Sequence, residues 1–237
     1  MRFGIIIAAL LALGACVPAT QSPTVTTPPS DITTAEAQRA VQTFIEVVQR
    51  MEPVAEDICR RDRPGANCDF EIYVDRDPAS GVNAFQTVDR WNRPVIIFTV
   101  GLIAEARNAD EIAFVMGHEA AHHIAGHLDA RRVQADAGAV IFGEIARAGG
   151  ASPDLVGEAA RIGSVVASRR FTQAAELEAD ALGAVIAHQS GYDPLNGAQF
   201  FSRLPDPTHR FLSTHPPNAL RLSTVRRTMA EIQGGGV

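Results

Sequence analysis

The stretch Asn108-Ala109-Asp110-Glu111-Ile112-Ala113-Phe114-Val115-Met116-Gly117-His118-Glu119-Ala120-Ala121-His122 carries most of what this chain says about its fold and chemistry. Asn108 followed three residues later by Glu111 is a capping-box spacing, and Ile112, Val115 and Met116 recur at helical intervals. The spacing therefore predicts a strongly apolar helix running to about Leu128. On that helix His118 and His122 lie one turn apart and project from one face, ~5–6 Å apart at Cβ, so both imidazoles can grip one metal ion. Glu119, offset by one residue, can reach a water on that ion without being a ligand, the arrangement a zinc hydrolase needs.

A catalytic zinc takes three protein ligands and keeps one position open. The nearest histidines do not complete the set on a continuous helix. His123 points about 100° from His122, and His127, nine residues from His118, falls about 180° around the cylinder. Ala125 and Leu128 stand where a metzincin has glycine and a third histidine. A carboxylate from another helix is the natural completion, and Ala175-Glu176-Leu177-Glu178-Ala179-Asp180 offers one. Glu176 and Asp180 share a face, so Glu176 can ligate while Asp180 accepts the free N–H of a zinc-bound histidine. Taken alone the segment reads more readily as a solvated acidic face; paired with the histidine motif it reads as the third ligand. Glu178 faces away and is expected at the surface.

Working outward, the chain has 237 residues, 46% hydrophobic and 20% charged, the composition of a foldable globular protein. Its net charge of −6, without long like-charge runs, gives no electrostatic basis for nucleic-acid binding. All 21 basic side chains are arginine, which excludes lysine-dependent chemistry such as Schiff bases or a P-loop lysine. Arg2, the apolar run Phe3 to Leu13 and then Gly14-Ala15-Cys16 read as an export signal, too short for the ~20 apolar residues of a membrane span. Leu13-Gly14-Ala15-Cys16 resembles the bacterial lipobox, which implies that residues 1–15 are removed and Cys16 is lipidated. Val17 in the next position points to the outer membrane. From Val17 to Thr34, twelve of eighteen residues are Pro, Thr or Ser, a tether that cannot bury a core. The expected catalytic body is residues 35–233. In an oxidising periplasm Cys59 and Cys68 can close a small disulfide loop.

Within that body, Thr33 and Glu36 cap a helix predicted from Ala35 to Arg50. Phe70 to Asp75, Val82 to Thr87 and Pro94 to Val100 have strand character and suggest a small antiparallel sheet. Two Ala- and Gly-rich apolar stretches, Ala139 to Ala146 and Leu155 to Ala167, read as a helical hairpin. A last long helix starts near Thr172 and stops before Gly191.

The blocks Asn83-Ala84-Phe85, Thr99 to Ile103, Asp110 to Ala113, His118 to His122, Glu176 to Asp180, Gly191-Tyr192-Asp193-Pro194 and Thr214-His215-Pro216-Pro217 with Arg221, in this order, resemble metallopeptidase family 48. That family includes HtpX and the CAAX prenyl proteases. The resemblance implies an α+β, mostly helical zincin-type (gluzincin) domain holding one zinc ion per chain through His118, His122 and Glu176. It implies that Glu119 is the general base and that Asn83, Ala84 and Phe85 form the edge strand on which extended substrate adds. His215 could serve as a transition-state donor, as a fourth, inhibitory ligand, or as a structural residue of a rigid turn; Tyr192 is an alternative donor. The expected function is a zinc metalloendopeptidase, lipid-anchored in the outer membrane and facing the periplasm, that cuts unfolded or misassembled envelope proteins. A zinc-bound periplasmic chaperone or assembly factor with little proteolysis is the alternative.

Overall fold

In the computed structural model, residues 34–169, 171–203 and 217–235 are described. The first helix, α1 (Thr34–Asp62), runs past the predicted end at Arg50 and through Pro53. The proline removes one helical N–H, but the buried stripe Phe44, Val47, Met51, Ala55 and Ile58 keeps its helical spacing on both sides of it, and this face packs on the central helix. Packing thus holds together a helix that local propensity would break. Cys59, near its end, is disulfide-bonded to Cys68 with Cα atoms 5.7 Å apart, which ties the helix to the first strand.

Three strands follow, β1 (Glu71–Asp75), β2 (Ala84–Val88) and β3 (Pro94–Thr99), in the spatial order β1-β3-β2. The sheet is mixed and not antiparallel as the sequence suggested. β2 and β3 form an antiparallel hairpin, Ala84 opposite Phe98, while β1 runs parallel to β3, Glu71 opposite Val95. Strand character fixes which segments extend and leaves their direction open, and here the residue 76–83 connection carries the chain across to the far side of β3. The β2–β3 turn is built by Asp89, whose carboxylate accepts from the N–H groups of Trp91 and Arg93. The middle strand is the most buried of the three, and β2 is left as an edge.

After the short α2 (Val100–Glu105) comes α3 (Ala109–Ile124), capped as read: the Asn108 side chain accepts from the Glu111 N–H at 3.0 Å. Glu111 itself is buried and held by two bonds from Arg203, at 2.5 and 2.6 Å. Every residue from Glu111 to Ile124 is buried, so α3 is the axle of the fold, wrapped by α1, the sheet and α6. It stops four residues short of the predicted end. Gly126 adopts a left-handed conformation (φ 73°), which costs glycine little, and a new helix, α4 (His127–Ala148), sets off in another direction.

α4 and α5 (Pro153–Ala167) pair as the expected hairpin, with α4 starting well before Ala139. Among the described residues no helix is long and apolar enough to cross a membrane. α6 (Gln173–Gln189) returns along α3, capped by Thr172, and the short α7 (Pro194–Gly197) and α8 (Gln199–Arg203) close over the core. A final helix, α9 (Asn218–Gln233), packs on α6. Its buried face is Arg221, Thr224, Val225, Thr228 and Met229, a helical period that is mostly not apolar and so carries no amphipathic signal in the sequence.

Candidate metal centre

α3 and α6 approach so closely that an added Cβ on Gly117 would lie 2.6 Å from the Gly183 carbonyl oxygen, and one on Gly183 would lie 2.7 Å from the His118 nitrogen. Only two glycines permit this contact. It sits one residue from His118 and one turn from Asp180, so the glycine pair brings the acidic face of α6 onto the histidine face of α3.

There the donor atoms converge. His118 Nε2 lies 3.1 Å from His122 Nε2 and 3.6 Å from Glu176 Oε2, and His122 Nε2 lies 3.7 Å from Glu176 Oε1. All three side chains are buried, and among the described residues they form the group whose donor atoms fall within 4.8 Å of one another. Ligand bonds of ~2.0–2.2 Å in a tetrahedron place donors ~3.3–3.6 Å apart. The observed separations bracket that value, and two imidazoles with one carboxylate are a borderline donor set suited to zinc. The cluster fits a divalent metal.

The ring of His118 is fixed from behind. Its Nδ1 lies 2.9 Å from Asp180 Oδ1, and Arg221 grips both oxygens of Asp180, Nε to Oδ2 at 2.8 Å and Nη2 to Oδ1 at 2.6 Å. The guanidinium lies 3.4 Å from the centroid of the Phe201 ring. Burial works to raise the Asp180 carboxyl, but Arg221 and His118 outweigh it and hold it at about 2. Burial and the nearby guanidinium in turn lower His118, keeping the neutral imidazole that can donate a lone pair.

Glu119 is buried beside this cluster. Burial, reinforced by the neighbouring Glu176 carboxylate, pushes its carboxyl up to about 8, against the opposing pull of Arg221 and of the Gln86 main-chain N–H that it accepts. The Gln86 contact joins Glu119 to the edge strand β2. Asn83 O accepts from the Thr99 N–H, so Asn83 faces β3 and the main-chain groups alternate from there. Those of Ala84, Gln86 and Val88 face outward, whereas Asn83 and Phe85 spend theirs on the sheet. The Phe85 side chain is exposed.

His127 is where helical-wheel reasoning fails. The break at Gly126 turns His127 back toward the cluster, so its Nδ1 lies 2.9 Å from His122 Nδ1 and its Nε2 lies 3.3 Å from Glu178 Oε2. Glu178 is exposed, as expected, yet it reaches this histidine. Phe171 stacks on the His122 ring with centroids 3.9 Å apart. A glycine four residues after His122 was the available signal that the helix ends; nothing in the spacing pointed to Phe171, Gln86 or the role of Arg221. His123 turns away, as read, with its Nε2 2.7 Å from the Asn67 carbonyl. Tyr192 packs beside Arg50 of α1. His215, Cys16 and the tether up to residue 33 lie outside the described residues, while Thr34, read as the end of the tether, is the first residue of α1.

The chain is 33% identical to a putative beta-barrel assembly-enhancing protease of Vibrio cholerae over 161 residues, 64% of this chain and 31% of the relative. It is 28% identical to the mitochondrial metalloendopeptidase OMA1 of Arabidopsis thaliana over 156 residues, 64% of this chain and 30% of the relative. The chain spans about a third of the length of these curated relatives. Residues 42–229 match the family described as Peptidase family M48, and the match runs from α1 to α9 through every element of the cluster. The chain belongs to peptidase family M48.

Proposed function

We propose that the protein is a zinc endopeptidase of the bacterial cell envelope, holding one zinc through His118, His122 and Glu176 and cutting extended, unfolded polypeptide. The observation that carries this reading is the buried convergence of two imidazoles and one carboxylate with Glu119 beside them, next to the edge strand β2. A zinc ion held by His118, His122 and Glu176 would supply the polarisation of a peptide carbonyl and a water of pKa lowered toward ~7. Glu119 takes the proton of the attacking water and delivers it to the leaving amine. Burial beside Glu176 raises its carboxyl into the range in which it can hold and return a proton. The Gln86 N–H orients the carboxylate, and Asp180 with Arg221 orients His118. The outward main-chain groups of β2 other than the Gln86 N–H, starting at Ala84, pair with the backbone of an extended substrate, which reads conformation and not sequence.

The envelope setting rests on the export signal, the lipobox-like Cys16 and the tether, and the name of the Vibrio cholerae relative points the same way. The clients are envelope proteins that fail to fold or assemble, met by an enzyme anchored to the outer membrane through Cys16 and facing the periplasm. Metal analysis of the purified protein, combined with cleavage of unfolded casein with and without a chelator, tests the reading. One zinc per chain and chelator-sensitive cleavage are expected. Zinc binding that protects a client from aggregation without cutting it would favour the chaperone alternative. Mass spectrometry of the exported protein should show Cys16 as the lipidated first residue, and an unmodified Cys16 would remove the anchor.

A further inference from the structure

The two histidines of the cluster are supported in different ways. His118 leans on a carboxylate, Asp180, itself locked by Arg221. His122 meets another imidazole: its Nδ1 lies 2.9 Å from Nδ1 of His127, which is buried at the first position of α4. Two ring nitrogens at this distance share one proton, so one donates and the other accepts.

The direction of sharing follows from the metal. Resting on the reading of His122 as a zinc ligand through Nε2, we propose that His127 is a positioning residue that fixes the tautomer and ring orientation of His122. A neutral imidazole that gives its Nε2 lone pair to a metal carries its proton on Nδ1. His122 Nδ1–H therefore donates to His127 Nδ1, which leaves the His127 proton on Nε2. That nitrogen lies 3.3 Å from Glu178 Oε2, an acceptor and never a donor when ionised. The chain runs in one direction, from His122 through His127 to Glu178. Each proton has an acceptor, and the reverse assignment would aim a His127 N–H at a ring nitrogen that already faces it with a proton.

The ring plane is fixed as well. Phe171 stacks on His122 at 3.9 Å with an interplanar angle of 17°, and the Arg131 guanidinium lies 4.6 Å from the Phe171 centroid while its Nε donates to the Ser168 carbonyl at 3.1 Å. The break at Gly126 makes this possible, since a continuous helix would carry position 127 to the opposite face. The end of α3 is thus built to return a histidine to His122.

The test uses the full chain and reads zinc affinity by competition with a chelator, alongside the urea midpoint of each metal-free variant. His127→Leu keeps bulk but offers no acceptor and should weaken zinc binding by about 10–100-fold. His127→Asn can place Oδ1 where Nδ1 stood and should recover most of that loss. Glu178→Ala removes an exposed side chain, should leave the urea midpoint unchanged and should produce a smaller loss of affinity. In the zinc-loaded native protein, nitrogen-detected NMR of the imidazoles should show His127 protonated at Nε2 and bare at Nδ1. Wild-type affinity in His127→Leu, equal losses in the Leu and Asn variants, or the opposite His127 tautomer would each overturn the proposal. A wild-type protein that binds no zinc would instead sink the metal-centre reading on which it rests.

Discussion

Replacing Arg221 by leucine is the sharpest structural perturbation of this site. Arg221 is buried and is bonded through two nitrogens to Asp180, a residue with no exposed surface, at 2.8 and 2.6 Å. Its Nη2 also lies 3.2 Å from His118 Nδ1. Leucine fills part of the volume but leaves the carboxylate buried without its cation. Breaking a buried pair from one side typically costs about 3–5 kcal/mol, because the remaining charge has neither water nor partner. Loss of the guanidinium–Phe201 contact adds about 0.5–2 kcal/mol. The assay is urea unfolding of the metal-free protein for Arg221→Leu, Asp180→Asn and the double variant. The single arginine variant should lose at least ~3 kcal/mol, and Asp180→Asn in its background should recover a large part, with a coupling of about 2 kcal/mol or more. A loss under ~1 kcal/mol, of the size expected of a surface pair, or simple additivity in the cycle would refute the claim that Arg221 neutralises Asp180.

The remaining expectations follow from the same geometry. The Glu119 carboxyl is raised in the metal-free fold, so its contribution to stability is full below its ordinary value of 4.5 and is lost as pH rises toward about 8. Glu119→Gln should therefore stabilise the metal-free protein increasingly from pH 5 to pH 8.5, by on the order of 4 kcal/mol at the upper end; a pH-independent difference in thermal or urea unfolding would contradict this. Gly183→Ala places a methyl 2.7 Å from the His118 nitrogen, and forcing α3 and α6 apart should cost about 1–3 kcal/mol and weaken zinc binding; unchanged affinity would show that the close approach does not set the ligand geometry. Reduction of Cys59–Cys68 opens a short loop and should lower stability by about 2–3 kcal/mol in the chain-entropy picture, read as the difference between urea midpoints with and without reductant.

Much of the site was legible because it is local. The Asn108 cap, the buried face of α3 and the one-turn spacing of His118 and His122 are properties of a single helix, and the pairing of Glu176 with Asp180 is a property of another. What escaped depends on how elements meet. Strand character in residues 70–75 does not state a direction, so the parallel β1–β3 pairing had no signal in the sequence. α9 presents arginine and threonine to its neighbour and hides from an apolar pattern. The angle expected for His127 holds only on an unbroken helix, and a single left-handed glycine reverses it, bringing a remote histidine against His122. Pro53 erred the other way, since a residue that ends isolated helices is carried here by the packing on both sides of it.

The central claim is that Glu119 moves the proton in zinc-dependent cleavage of unfolded polypeptide. The most direct test compares wild type and Glu119→Gln, each brought to one zinc per chain, for the rate at which they cut an unfolded envelope protein. The amide keeps the shape and leaves His118, His122 and Glu176 untouched, so metal binding should persist while the rate falls by about 10²–10⁴-fold. Cleavage at the wild-type rate by the zinc-loaded Gln variant would contradict the account.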